Sequence, residues 1–266
     1  ASLATGNAVI VKPHPAAILP LALTVRTARE VLSEAGFDPN VIQLAPDTPE
    51  KPIAAELATH PAIGIVDFTG GPAFGAWLRT HVGANKALHT EEAGINPVVI
   101  HSTADFAGLC RNLAFSLSLY SGQMCTAPQN IFAPAGGIAT NEGHKTFEEV
   151  GAALAAAADA LLADPARAAG VLGAIQNPAT LDRIAQSRSL GRVVRDSAPI
   201  PGGNAARTAT PLLVEVAAED RAAWGEERFG PIAFLIRCAD AGHALTLAAS
   251  SARERGAITA LVHSTD

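Results

Sequence analysis

The residue of this chain best suited to covalent chemistry is Cys125, in the segment Ser121-Gly122-Gln123-Met124-Cys125-Thr126-Ala127-Pro128 between an apolar helical pattern and a strand pattern. A thiol attacks as its thiolate, and a loop beside a helix end exposes it to polarising groups and to substrate. Inert packing is the commoner fate of a free cysteine. Cys110 is expected to meet that fate, sharing a helical face with Phe106, Leu109, Leu113, Leu117 and Tyr120. Glu91, in the Glu91-Glu92 pair just before a glycine, is a candidate general base, with a solvated turn as its plain alternative. Lys12 ends a short apolar run and is a candidate for a phosphate or ribose hydroxyl, solvation being the usual fate of such a lysine. Gly70-Gly71-x-x-x-Gly75 joins a strand pattern to a helix pattern, where free N–H groups and the helix dipole favour a phosphate. It is neither the usual dinucleotide fingerprint nor a P-loop, so a tight turn explains it equally well. The eight histidines show no metal-ligand spacing, so no metal is expected, and no Gly-x-Ser-x-Gly elbow supports a serine triad.

The elements that must position these residues belong to a well-packed α/β protein. The chain has 266 residues, 48% of them hydrophobic and 17% charged, enough for a sizeable core and for two domains. Three cysteines without CxxC spacing argue against a disulfide framework and for a reducing compartment, so the cytoplasm is the expected location. A net charge of −6 without a basic cluster disfavours nucleic acid and anionic membrane as partners. The Ala-rich stretch 151–163 is too short to span a bilayer. The opening Ala1-Ser2-Leu3-Ala4 carries neither an initiator Met nor a signal-peptide pattern, so the chain is expected to be a piece of something longer.

Apolar runs at 8–11, 41–44 and 63–68 alternate with helical periodicity at 19–31, 52–60 and from Pro72 onward. That alternation predicts a parallel sheet with covering helices, part of a dinucleotide-type domain. Residues 87–92 read as a connection leading through Gly94 into a strand at 96–101. Beyond lie a helix over 106–120, strands near 130–132, 212–216, 232–237 and 257–262, and helices over 146–162, 180–187 and 241–251.

Five motifs in order carry a resemblance to the aldehyde dehydrogenase superfamily: Gly6-Asn7-Ala8-Val9-Ile10-Val11-Lys12-Pro13, Phe68-Thr69-Gly70-Gly71, Glu91-x-x-Gly94-x-Asn96-Pro97, Gly122-Gln123-x-Cys125 and Glu227-x-Phe229-Gly230-Pro231. The interval from Glu91 to Cys125 also matches, and the resemblance covers nearly all of the chain. It implies a partial Rossmann-like parallel sheet followed by an α/β catalytic domain: the C-terminal part of an NAD(P)-binding domain over 1–93 and a thiol-bearing catalytic domain over 94–266 whose C-terminal end is missing. By the same resemblance Cys125 is the nucleophile and Glu91 the base for the deacylating water. Lys12 holds the adenosine ribose, Gly70, Gly71 and Gly75 belong to the pyrophosphate turn, Glu227 holds the nicotinamide ribose, and Phe229 supports the nicotinamide ring. The reaction implied is NAD(P)-dependent oxidation of an aldehyde to an acid through a cysteine thioester, by a homo-oligomer. The Cys125 N–H is one donor for the oxyanion; the family's second, an asparagine upstream of the Lys-Pro motif, is not in the chain.

Several residues depart from the pattern. Glu92 stands where an apolar residue is usual, its charge tending to raise the pKa of Glu91, and Ala93 replaces a usual glycine. Gly71 stands in place of a common serine, and Pro15 where NAD-preferring members often carry a glutamate. A carboxylate near the ribose repels a 2′-phosphate, so its loss predicts that NADP is accepted at least as well as NAD. The wording around Lys12 and Glu91 is most similar to the phenylacetate-degradation branch, which implies a ring-opened semialdehyde as substrate. A CoA-acylating aldehyde dehydrogenase and a non-catalytic cofactor-binding protein of the same fold are the alternatives.

Overall fold

Short apolar runs set off by Pro- and Gly-rich turns form strands, and the stretches of 3.6-residue periodicity between them form helices. A computed structural model describes residues 2–92, 94–200 and 206–266; Ala93, the replacement for a usual glycine, lies outside the described residues. The chain divides into two compact units, Ala1–Glu92 and Ala93–Asp266.

The first unit carries β1 (Val9–Val11), α1 (Ile18–Glu34), β2 (Ile42–Leu44), α2 (Ala54–Thr59), β3 (Ile65–Thr69), α3 (Pro72–His81) and β4 (Ala87–Glu91). A helix between two strands returns the chain to its starting end, so β1 pairs with β2 and β3 with β4 in parallel. The expected single parallel sheet is therefore present as two separate pairs among the described residues. β4 falls where the sequence suggests only a connection. Ala87-Leu88-His89-Thr90-Glu91 has little β-propensity, and its ladder with β3, from Ile65↔Ala87 to Thr69↔Glu91, is what makes it a strand. Proline at the first turn opens α3, and Arg79 and His81 in its last turn complement its dipole. An aromatic row, Phe68 edge-on to Phe74 and Phe74 stacked on Trp77, fastens α3 to β3.

The second unit carries β5 (Pro97–Ile100), β6 (Ser102–Thr103), α4 (Phe106–Ser118), β7 (Asn130–Pro134), β8 (Ile138–Thr140), β9 (Gly143–Lys145), α5 (Phe147–Leu162), α6 (Pro165–Leu172), α7 (Ala179–Ser187), β10 (Arg192–Arg195), β11 (Leu212–Ala217), α8 (Arg221–Trp224), β12 (Ile232–Cys238), α9 (Ala241–Arg255) and β13 (Leu261–His263). A six-stranded sheet in the order β10-β11-β12-β7-β5-β13 forms its centre, parallel except for the edge strand β10. Side chains of β12 alternate between two cores. Ile232, Phe234 and Ile236 join Phe132, Trp224 and Ile184 on one face; Ala233 and Leu235 join Phe106, Leu113 and Phe147 on the other. Burial on both faces explains why these strands read as unbroken apolar runs. Trp224 is fully buried edge-on to Phe132, a side chain whose burial contributes roughly 3 kcal/mol. Cys110 is buried on α4 among Phe106, Leu109 and Leu113, with its thiol pushed up to about 11, chiefly by burial. It is core, as the helical spacing implied.

Candidate active site

Tyr120 does not continue the buried face of α4. The helix stops at Ser118, Leu119 turns to an extended ψ of 123°, and Tyr120, Ser121 and Gly122 follow with φ of 50°, 53° and 61°. Two non-glycine residues in the left-handed region cost roughly 1 kcal/mol each, which the surrounding structure must offset. Part of the offset comes from Ser121, buried, whose hydroxyl donates to the Leu172 carbonyl at 3.0 Å. Gly122 is required twice: its φ is left-handed, and a Cβ there would stand 2.4 Å from the Gly230 carbonyl oxygen. The Gln123 side chain donates to the carbonyls of Tyr120 (2.9 Å) and Ala174 (3.0 Å) and accepts the Gln176 N–H at 2.9 Å.

This turn delivers Cys125 to the surface as an exposed free thiol. Its N–H meets no acceptor among the described residues. Its carbonyl is held. Asn96, only 2% exposed, donates from Nδ2 to the carbonyls of Cys125 (2.8 Å) and Ala127 (2.9 Å). The same side chain accepts, through Oδ1, the N–H groups of Ile258 (3.0 Å) and Thr259 (3.1 Å). One amide thus ties the thiol loop to the segment that leads into β13.

Gln129 performs the same service for Glu227. Its Nε2 donates to the Glu226 carbonyl at 3.0 Å and its Oε1 accepts the Arg228 N–H at 2.6 Å, so one buried side chain grips the backbone on both sides of Glu227. Arg183 donates from Nε to the Phe229 carbonyl at 2.9 Å and from its guanidinium to Thr180 Oγ1 at 2.8 Å. Burial pushes the Glu227 carboxyl above the usual carboxylate range, against the pull of the Gly94 N–H and of Arg183. Phe229 remains partly exposed, and Gly230 closes the turn where a Cβ would strike Thr180.

In the first unit, Lys12 directly follows β1 and its Nζ lies 2.8 Å from Asp47 Oδ1. The α3 N-terminus has no side-chain cap, and nothing lies within 4 Å of a Cβ built on Gly71. Pro72 supplies no N–H and that of Gly75 goes to the Gly71 carbonyl, but the Ala73 and Phe74 N–H groups have no acceptor among the described residues, an arrangement suited to an anion. The Gly70 N–H is already given to the Glu91 carbonyl at 3.0 Å, and a Cβ there would meet the Phe68 ring, so Gly70 contributes clearance. Gly75 lies one turn inside α3, its N–H donated to the Gly71 carbonyl. Its missing side chain makes room for the Glu92 carboxylate. Glu91 ends β4 exposed. Glu92 is paired with Arg79, whose guanidinium, working against burial, holds the Glu92 carboxyl below its ordinary value. Its extra charge is therefore answered within its own unit.

Asn96, Gln123, Gln129, Arg183 and Asp47 had no assigned role in the sequence reading. A signal existed for two. Asn96 and Gln129 are amides standing immediately before strands, at the positions where a loop must be tied down. Asp47 and Arg183 act across long stretches of chain and leave no local pattern. Among the described residues no group of His, Cys, Asp or Glu is arranged to hold a metal ion, and no helix is long and apolar enough to cross a membrane. A separate cleft of about 570 Å³, lined by His101, Pro134, His144 and Asp240, lies at the opposite ends of the same strands.

A family profile described as the aldehyde dehydrogenase family matches residues 1–266. A geranial dehydrogenase of Castellaniella defragrans is 29% identical over 260 residues, 94% of this chain and 50% of that protein. The crystal structure of an NAD-dependent aldehyde dehydrogenase from Burkholderia multivorans is similar with a TM-score of 0.93 and 49% identity, over 99% of this chain and 48% of that one. An NAD-dependent benzaldehyde dehydrogenase from Corynebacterium glutamicum, 24% identical, shares the fold with a TM-score of 0.76, over the whole of this chain and 55% of that one. The chain spans about half the length of the relatives it matches.

Proposed function

The chain belongs to the aldehyde dehydrogenase family, and from that premise we propose that the full-length protein oxidises an aldehyde to its carboxylic acid with NAD or NADP as hydride acceptor. The observation that carries this reading is Cys125: an exposed thiol with a free N–H, on a loop fixed by Asn96 and packed through Gly122 against the turn that follows Glu227.

The Cys125 thiolate attacks the carbonyl carbon, and charge develops on the aldehyde oxygen. The Cys125 N–H donates to that oxyanion, a role for which its lack of another acceptor suits it. Loss of hydride from the adduct leaves a thioester on Sγ. Glu91 takes a proton from water, the hydroxide adds to the acyl carbon, and the C–S bond breaks to release the acid and restore the thiolate.

Each unit carries residues suited to its own part of a dinucleotide. The uncapped α3 N-terminus with the open space at Gly71 suits a pyrophosphate, Lys12 the adenosine ribose, and Glu227 with Phe229 the nicotinamide end. The dinucleotide, when bound, supplies the acceptor for the hydride. Two residues bear on its type: Pro15, which lacks a carboxylate and favours NADP, and Asp47, which brings one to Lys12. The substrate class we favour is a ring-opened semialdehyde of phenylacetate degradation, handled in the cytoplasm by a homo-oligomer.

Incubating full-length protein with NAD or NADP and a panel of semialdehydes, without CoA, tests the reading through reduced-nicotinamide absorbance and free-acid release. Acid formation with either dinucleotide is the expected result. Turnover that requires CoA, or none with any aldehyde, would overturn it.

A further inference from the structure

We propose that Asp47 makes this protein select NAD over NADP, an inference that rests on the reading of Lys12 as the residue serving the adenosine ribose. Lys12 follows β1 and Asp47 follows β2. Because the two strands are parallel, both residues emerge at the same end of the pair. There Nζ and Oδ1 stand 2.8 Å apart.

The Asp47 carboxylate is fixed. Its side chain is 1% exposed, against 24% for Lys12, and its Oδ2 accepts the Ile53 N–H at 3.1 Å. Oδ1 is engaged by the ammonium and closed to solvent, so the carboxylate acts on a ligand at Lys12 through its charge and not by direct contact. The group is also ionised. Burial raises its pKa, but the contact with Lys12 and the Ile53 N–H outweigh that and hold it below the usual carboxylate range.

These facts decide what Lys12 can hold. A lone lysine at a strand end attracts phosphate as a point charge. Here any phosphate drawn to Nζ meets a fixed carboxylate within the same few ångströms, and the pair as a unit carries no net charge. A neutral ribose hydroxyl meets no such repulsion and accepts from the Lys12 ammonium, which is 24% exposed. The pair therefore tolerates a diol and rejects a 2′-phosphate, discriminating by repulsion. Pro15 carries no carboxylate, and Asp47 brings one to Lys12 from the end of the neighbouring strand. The expectation of NADP drawn from Pro15 alone is thereby reversed.

The test is the ratio of dissociation constants for NADPH and NADH on full-length protein, read from nicotinamide fluorescence for the wild type, Asp47→Asn and Asp47→Glu. The wild type is expected to bind NADH at least about tenfold more tightly. Asp47→Asn should narrow that ratio about tenfold, mainly through tighter NADPH, and Asp47→Glu should keep the preference. Should Asp47→Asn fail to fold, the wild-type ratio and Asp47→Glu still decide the matter. A wild type that binds the two equally, or a folded Asp47→Asn with an unchanged ratio, overturns the selection by Asp47 and leaves the dinucleotide reading intact. Binding of neither dinucleotide by any variant overturns both.

Discussion

The two units place their candidate residues at opposite ends of parallel strands. In the first unit Lys12 follows β1, Asp47 follows β2, Gly70 and Gly71 follow β3, and Glu91 closes β4, all at carboxyl ends. In the second, Asn96 precedes β5, Gln129 precedes β7, Glu227 and Phe229 precede β12 and Thr259 precedes β13, all at amino ends. The difference is physical. At carboxyl ends the chain runs into helix N-termini, whose unpaired N–H groups already favour an anion, and open parallel sheets usually bind ligands there. At amino ends the chain arrives from helix C-termini, and α4 delivers the thiol loop with the unfavourable pole. The second unit compensates with side chains. Asn96, Gln123 and Gln129 each bond two or more backbone groups, doing for this edge what helix geometry does for the other.

That contrast is breakable. Cys125→Ala should abolish aldehyde oxidation by a thousandfold or more, on the order expected for loss of a nucleophile. Since the side chain is exposed, the melting temperature should stay put. A variant that keeps measurable turnover would remove the chemical meaning of the amino edge. Asn96→Ala leaves two carbonyls and two N–H groups without their partner and should cost about 3 kcal/mol in urea unfolding. A cost below about 1 kcal/mol would show that water replaces the clamp.

Glycines sharpen the comparison. Gly122→Ala meets both a left-handed φ and the Gly230 carbonyl, and should lose about 2 kcal/mol. Gly71→Ala, in extended backbone with nothing nearby, should stay within about 0.5 kcal/mol. Equal effects in the two would deny that the edges are built differently. The smallest effect is electrostatic. Because the folded-state pKa of Glu227 is raised, its contribution to stability is complete below the ordinary carboxylate range and is lost as pH rises through the folded value. Glu227→Gln should therefore gain on the wild type as pH rises above the ordinary carboxylate range in thermal melts. A difference that grows toward acid instead would mean that the carboxylate is held by partners, not strained by burial.

Much of the framework was legible because periodicity is local. The face of α4 through Phe106, Leu109, Cys110, Leu113 and Leu117 is buried as its spacing implies. Tyr120, next on the same face, is 56% exposed, because left-handed backbone at two non-glycine residues has no sequence signature. β4 was hidden for a different reason: its strand character comes from pairing with β3 and not from its own residues. At the site, residue types and order pointed to Cys125, Glu91 and Glu227. They did not show the ion pair of Lys12 with Asp47 or that of Glu92 with Arg79, since each depends on which strands or helices lie side by side. Candidate residues could be named from the sequence; the partners that surround them could not.

The Asn96 clamp also bears on when the site comes into being. It joins residue 96 to 125 and 127 and to 258 and 259, so its last partners are synthesised long after the thiol. At ribosomal rates of roughly 5–20 residues per second, the nascent chain carries Cys125 for several seconds before Thr259 emerges. Contacts so distant in sequence close late in folding as well. The loop therefore gains its final anchorage only when β13 is ready to join the sheet, well after the thiol itself has been synthesised.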